Sequence, residues 1–513
     1  MVLEIPQLVR LPLSYILATP IALAALAPLL VLVILADDFA SVLAWSNVKL
    51  LFNTLALALL SAAGAIVIGV PLAIVSAYGG LMRPGLTLAL FASPLAIPSY
   101  LGAFALYAAL GPGGELEQWL GFATPPIGGL GGSALVIALY TYPFVLLTTR
   151  AALLSQDGSL VDAARTLGLN QRQCLMRVVL PRAIPAIAAG ALLSALYAVS
   201  DFGTPAIMNY DTFTRLIYLE YNAYGLSQAA LFSLQLLLIV GLILFFEGRF
   251  RASPERAGST LRLRFSRGGV LFTVLLAVPV VTLALLLPLG IFLLWLVREG
   301  IASFDPALAW NSMLASALAA LLATCVALPI ALASRRGRFG RVLERAIFFG
   351  FGVPGIVMGT VLVYVGLQIP VLYQTLLLLV VAYVMRFFSL AVSSTRSSFD
   401  RLDEGVGAAA RLLGARRLEV LFRITLPLSA RGIIAGAALV FLESMRELPA
   451  TLLLAPTGFE TLATYLWRVY EAGYFGRAAV PSLLLVLMST LGLALVLAGE
   501  SRTRDSVHGP RGS

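Results

Sequence analysis

Apolar runs of about 20 residues recur along the chain, and no other feature restricts its fold so tightly. Twelve are read: near 13–36, 51–78, 85–111, 133–154, 184–208 and 228–247, then 269–297, 311–334, 345–368, 373–395, 432–455 and 479–499. In lipid every backbone polar group must be satisfied within the protein, so each run predicts a spanning helix. Barrel strands alternate in short segments and do not produce such runs. Of the 513 residues, 60% are hydrophobic and 12% charged, against about 45–50% and 25% in a soluble domain. The expected class is an all-α membrane protein.

The net charge of +10 is carried by arginine, Lys49 being the one lysine. A basic balance raises nucleic acid as a partner, but these arginines lie in short loops between apolar runs, as the positive-inside rule expects. Nucleic-acid binding is therefore excluded and membrane lipid is the expected surroundings. Residues 249–267 hold six arginines and 334–345 hold five, while 111–133 holds Glu115 and Glu117 and no arginine. An even number of spans with both termini inside puts the arginine-rich loops in the cytoplasm, with the chain crossing the membrane many times. Cys174 and Cys325 form no disulfide framework. His508, in a polar tail, is the only histidine, so no stable metal site is expected.

The chain is internally duplicated. Asn53, Thr54, Pro71 and Ser76 match Asn311, Ser312, Pro329 and Ser334, each 258 residues apart. Further on, Gly168, Leu180-Pro181 and Gly190 match Gly414, Leu426-Pro427 and Gly436, each 246 apart. The expected organisation is a first half over 1–248, a cytoplasmic linker over 249–268, a second half over 269–500 and a polar tail over 501–513, with six spans per half in parallel repeat.

The most specific motif comes after spans four and ten. The first copy reads Asp162-Ala163-Ala164-Arg165-Thr166-Leu167-Gly168, with Leu180-Pro181 twelve residues after the glycine. The second reads Ala408-Ala409-Ala410-Arg411-Leu412-Leu413-Gly414, with Leu426-Pro427 at the same interval. Each predicts a short amphipathic helix, a glycine stop at positive φ, and a second helix leading into the next span. Proline is expected to open that next element, where its missing N–H costs least. Alanines give a surface another protein can approach, and the arginines are available to its carboxylates. A single loop of this kind fits an interfacial helix with no partner; two in register point to docking.

This pattern resembles the EAA loop of permeases of binding-protein-dependent ABC importers, which runs Glu-Ala-Ala, three residues, Gly, a spacer and Leu-Pro. Asp162 stands in the acidic position of the first loop and Ala408 in that of the second, a departure that removes any acid-based contact on one side. The resemblance implies the type I importer permease fold in the inner membrane of a bacterium, two copies of a separate ATPase seated on the loops, and a periplasmic or lipid-anchored solute-binding protein on the other face. It also implies no cofactor on this chain, with ATP and magnesium held by the partner subunits. Independently, Lys49 sits in Asn-Val-Lys-Leu and cannot complete a phosphate-binding loop, which needs Gly-x-x-x-x-Gly-Lys-Ser/Thr.

Among such permeases, two fused six-span halves resemble the ferric-iron group, whose relatives carry thiamine and other small solutes. The run from Glu443 through Arg446, Glu447 and Pro449 to Leu453 resembles that group, as does Glu460 to Thr464 with the adjoining segment. Asp201, in Ser200-Asp201-Phe202-Gly203-Thr204-Pro205, stands opposite Glu447 at the 246 offset. Counted along spans five and eleven at about 1.5 Å per residue, Asp201 and Glu447 are expected in the outer half of the membrane, where an ionisable residue usually faces a cavity or partner. Two readings stand. Asp201, Glu443 and Glu447, with Tyr197 and Tyr210, line a pathway for a hard cation; or the acids cap broken helices and pair locally, as Glu443 with Arg446. Arg386, deep in span ten, pairs with an acid or snorkels. Pro98 and Pro354 are expected to kink spans three and nine, and Gly64, Gly69, Gly355 and Gly359 to serve helix packing. An ion-coupled secondary transporter of twelve spans would not require the paired loops. A membrane-embedded enzyme lacks clustered His, Cys or paired carboxylates.

Overall fold

The computed structural model describes residues 13–37, 39–78, 84–123, 125–223, 225–250, 275–301, 304–334, 350 and 352–491. Nearly all of the expected 249–268 linker, the arginine-rich 335–345 stretch and the polar tail lie outside the described residues. Regular structure among the described residues is helical throughout. Among the described residues, eight helices are long and apolar enough to cross a membrane: Trp45–Tyr78, Gly129–Ser155, Gln171–Ser200, Leu226–Phe250, Leu275–Glu299, Pro306–Ser334, Leu376–Asp400 and Leu418–Met445. A bent pair, Gly85–Ala96 and Ser99–Leu120, makes a ninth if counted as one span. Shorter apolar helices at Thr19–Leu35, Gly355–Gln368 and Phe475–Leu491 stand where the first, ninth and twelfth spans are expected.

Two spans depart from expectation for one reason, which a third shares. Leu-Pro was expected to open a new element after each docking loop, yet Gln171–Ser200 and Leu418–Met445 run without interruption through Pro181 and Pro427. Proline has no N–H to donate, and its ring clashes with the carbonyl four residues back. The helix widens into a π-turn just ahead of each: Leu180 N–H donates to Leu175 O, and Leu426 N–H to Leu421 O. The same happens at Leu287-Pro288, where Leu287 N–H donates to Thr282 O. There the carbonyl of Ala284, four residues before the proline, accepts the Tyr140 hydroxyl at 3.0 Å. Spans five and eleven therefore begin earlier than the expected 184 and 432, and they end earlier than 208 and 455, at Ser200 and Met445.

Prolines in the third and ninth spans do more than kink. The helix breaks before Pro98 and turns by 83°, and Pro98 and Pro354 each sit at the N-cap of the succeeding helix. Small residues do let helices approach. A Cβ on Gly64 would lie 2.8 Å from Ala138 Cβ, and one on Gly69 2.8 Å from Tyr142 O. A Cβ on Gly359 would lie 2.7 Å from Leu453 Cδ1.

The described residues group into two compact units that do not coincide with the sequence halves. One joins the first helix, to Ile34, with 307–463; the other joins 35–306 with 464–490. In the second unit the helix Leu275–Glu299, the first of the second half, packs on first-half helices. Arg298 bridges Glu115 at 2.8 Å, and Trp295 Nε1 donates to the same carboxylate at 3.0 Å. The linker region thus marks the duplication and not a division of packing.

Candidate functional site

The first loop expected to dock forms the helix Ser159–Thr166. Eight residues are too few to hold a helix alone, so its ends are tied. Asp157 accepts the Ser159 N–H at 3.0 Å and the Ser159 hydroxyl at 2.7 Å. Val161 and Ala164 are buried. At the other end Gly168 takes φ +84°, Gly168 N–H donates to Arg165 O and Leu169 N–H to Ala164 O, which is the Schellman closure. Asn170 then starts the long span with a capping box to Gln173. Asp162, Ala163, Arg165 and Leu167 are exposed, the last of them to 84%.

The second loop expected to dock, with the helix Glu404–Leu412, repeats the construction in the 246 register. Asp403, the counterpart of Asp157, accepts Gly405 N–H at 2.8 Å. Gly414 takes φ +92°, Gly414 N–H donates to Arg411 O and Ala415 N–H to Ala410 O. Where Asn170 caps the first span stands Arg416, which cannot accept, and only the return bond survives: Glu419 accepts Arg416 N–H at 2.8 Å. Ala408, Ala409 and Arg411 are exposed, with Leu412 and Leu413 each 90% exposed, and Arg411 Nε donates to Gly407 O at 3.1 Å. Both helices thus end on an exposed leucine near an arginine. The acid is present on one alone.

At the far ends of the same long helices stand the two acids. Asp201 is the C-cap of Gln171–Ser200, not a residue deep within it, and its Oδ1 accepts the N–H groups of Gly203 and Thr204 at 3.1 and 3.4 Å. It thereby starts the short helix Gly203–Ile207. Ser99 donates to Asp201 Oδ2 at 2.7 Å, and Tyr197 donates to Ser99 Oγ at 3.0 Å. Glu447 lies two residues past Met445 and likewise caps the next helix, accepting Ala450 N–H at 3.2 Å. Its main partner is Arg386, at 2.6 Å. Gly355 makes this possible, because a Cβ there would collide with the guanidinium and the carboxylate. In the first half Ser99 precedes Gly355 by 256, matching Pro98 and Pro354, and Tyr140 precedes Arg386 by 246. The two acids therefore sit in equivalent frames with different partners.

Glu443 pairs with Arg446. Tyr210 is not joined to Asp201: its hydroxyl donates to Asn53 O at 3.2 Å. Burial, and then the charge of Asp211, push the Tyr210 phenol up, so it remains a donor. Of the expected pathway residues, then, Asp201 and Tyr197 are linked through Ser99; Glu443, Glu447 and Tyr210 have separate partners.

Residues 65–257 and 323–505 each match the family described as "Binding-protein-dependent transport system inner membrane component". The chain belongs to that family. Its two copies start 258 residues apart, the offset of the Asn53 and Asn311 repeat. Similar proteins include the Fe(3+)-transport system permease protein FbpB 2 of Haemophilus influenzae, 31% identical and matched over 71% of this chain and 76% of that protein. The probable ABC transporter permease protein y4fN of Sinorhizobium fredii is 28% identical over 80% of each. The ferric transport system permease protein FbpB of Actinobacillus pleuropneumoniae is 23% identical over 80% of this chain and 66% of that protein.

Several residues that shape this permease escaped the sequence reading. Asp157 and Asp403 cap the docking helices, and an Asp one to two residues before an amphipathic stretch is the signal that marks them. Ser99 and Gly355 carried no such signal, since their meaning depends on an acid 102 and 92 residues away (201 against 99, 447 against 355). The repeated Asn-Thr and Asn-Ser pairs also gain a role. Asn53 Nδ2 donates to Asp211 O and Thr54 Oγ1 accepts Phe213 N–H; Asn311 Nδ2 donates to Glu460 O and Ser312 Oγ accepts Leu462 N–H. Each pair pins the start of a short helix, Phe213–Ala223 or Leu462–Ala472.

Proposed function

We propose that this permease is the transmembrane unit of an ATP-driven ABC importer for ferric iron, working with two copies of a separate ATPase and an extracytoplasmic binding protein. The observation that carries the reading is the pair of docking helices, closed by the same turn in the same register and each exposing Ala, Arg and Leu. On the positive-inside rule they face the cytoplasm. Iron rests on the ferric relatives, which match over most of the chain.

Each docking loop continues directly into a long helix. The first, of 30 residues, is about 45 Å long at 1.5 Å per residue and ends at Asp201. Its counterpart of 28 residues reaches Glu447 with about 42 Å. Movement of an ATPase against a docking helix is thus delivered to the opposite face by a rod, as rigid-body switching between two access states requires. Asp201 is the acid suited to contact a hard cation in passage. It is held by hydroxyl and amide donors, whereas Arg386 already neutralises Glu447.

Co-purification of an ABC ATPase subunit with this chain, and uptake of radioactive ferric citrate by cells with and without the chain, test the reading. A stoichiometric ATPase and iron uptake lost on deletion are expected; Asp201→Asn should lower uptake and leave the ATPase bound. Uptake of thiamine but not iron refutes the substrate. Solute uptake driven by an ion gradient without any ATPase refutes the importer.

A further inference from the structure

The short helices Phe213–Ala223 and Leu462–Ala472 start from equivalent pins, at 211 and 213 in one half and 460 and 462 in the other, all 249 residues apart. In that register Tyr218 is the counterpart of Trp467, and the two rings meet edge to face, 6.1 Å between centroids at 86°. A residue packed against its own counterpart lies at the axis that relates two copies. A pathway formed by two related halves runs along such an axis, so a residue on it either lines the pathway or blocks it.

These rings are packed as a block. Phe202 lies 4.9 Å from Tyr218 and 5.0 Å from Trp467, and it is 1% exposed against 7% for Trp467. One turn on, Tyr470 lies 5.6 Å from Trp467, and its hydroxyl donates to Ile207 O at 3.1 Å, tying a second-half helix to a first-half one. Phe202 directly succeeds Asp201, the end of the rod from the first docking loop. Both helices belong to loops between spans five and six and spans eleven and twelve, the face opposite the docking loops.

We propose that Tyr218 and Trp467, with Phe202 against both, form an aromatic gate that closes the solute pathway at the face opposite the docking loops. The packed ring faces carry no ligand to replace the water shell of an ion, so they exclude a hydrated solute as an apolar constriction does. Weak ring contacts part readily when the rod ending at Asp201 moves. The gate rests on the transport reading above, but its test needs neither ATPase nor binding protein.

The full chain alone, reconstituted in liposomes loaded with rubidium ion and citrate, is compared with Tyr218→Ala/Trp467→Ala. Release about tenfold faster or more is expected once the apolar constriction is removed, with Tyr218→Phe/Trp467→Phe as tight as the unaltered chain. Phe245→Ala/Phe246→Ala removes a ring pair 5.6 Å apart on an exposed helix face and should not leak. Release at the unaltered rate from a double alanine variant that melts normally overturns the gate. Trp467→Ala alone removes the larger ring and serves if the double variant does not fold: it should leak, and a tight Trp467→Ala also overturns the gate. A chain that binds ATPase yet stays tight as the double variant refutes the gate alone; one that leaks but recruits no ATPase refutes the importer alone.

Discussion

Arg386→Met should destabilise the permease strongly, and adding Glu447→Gln should restore most of the loss. The pair is enclosed, with side-chain exposures of 17% and 5% at a separation of 2.6 Å. Removing one partner of such a pair leaves a buried charge and costs about 3–5 kcal/mol. Glu447 still accepts Ala450 N–H, which places the loss toward the lower end. At about 2–4 °C per kcal/mol for a unit of this size, the melting temperature should fall by about 6–12 °C. With the carboxylate also neutralised, the remaining deficit is that of ordinary polar groups, about 1 kcal/mol or about 2–4 °C. Thermal unfolding of the detergent-solubilised chain, followed by the loss of its monodisperse elution peak, reads both variants. If the two single losses simply add in the double variant, to within about 0.5 kcal/mol, the side chains are uncoupled and the reasoning fails. Gly355→Ala should copy the Arg386 variant, since its Cβ would enter the space shared by guanidinium and carboxylate.

Gly168→Ala and Gly414→Ala force a side chain into the left-handed region at a cost of about 1–2 kcal/mol each; amide exchange at Leu169 and Ala415 should speed up and ATPase retention should fall, and unchanged exchange at both amides counts against the closing turns. Asn53→Ala or Asn311→Ala removes a donor that pins a short helix, worth about 1 kcal/mol. Proteolysis within 209–225 or 458–473 should become faster in the matching variant and not in the other.

Much of the local form of the two candidate docking loops was legible because its determinants are local. A helix stop at Gly168 needs positive φ there and carbonyls three to five residues back, all within one short stretch, and the same holds at Gly414. The positions of the spans were legible for a related reason: an apolar run of membrane length has one low-energy conformation in lipid. Their ends were not. Pro181 read as a beginning because proline usually is one, but a π-turn absorbs it. The true ends at Ser200 and Met445 are set by Asp201 and Glu447, which cap the next helices. The place assigned to both acids shifted accordingly, from within the outer half of a span to a break at its end.

What the sequence by itself determined was the membrane class, the duplication and the two glycine-closed turns, each resting on composition, repetition or contacts between near neighbours. What only the tertiary structure decided was partnership: Arg386 with Glu447, Asp201 with Ser99, Tyr218 with its own counterpart Trp467, and the grouping of Leu275–Glu299 with the first half. Those choices depend on which side chains approach across distances of 61 to 249 residues along the chain (447 against 386, 467 against 218). Helical periodicity says which face of a span is apolar, but the space left by a glycine on a neighbouring helix decides which polar group can reach across it.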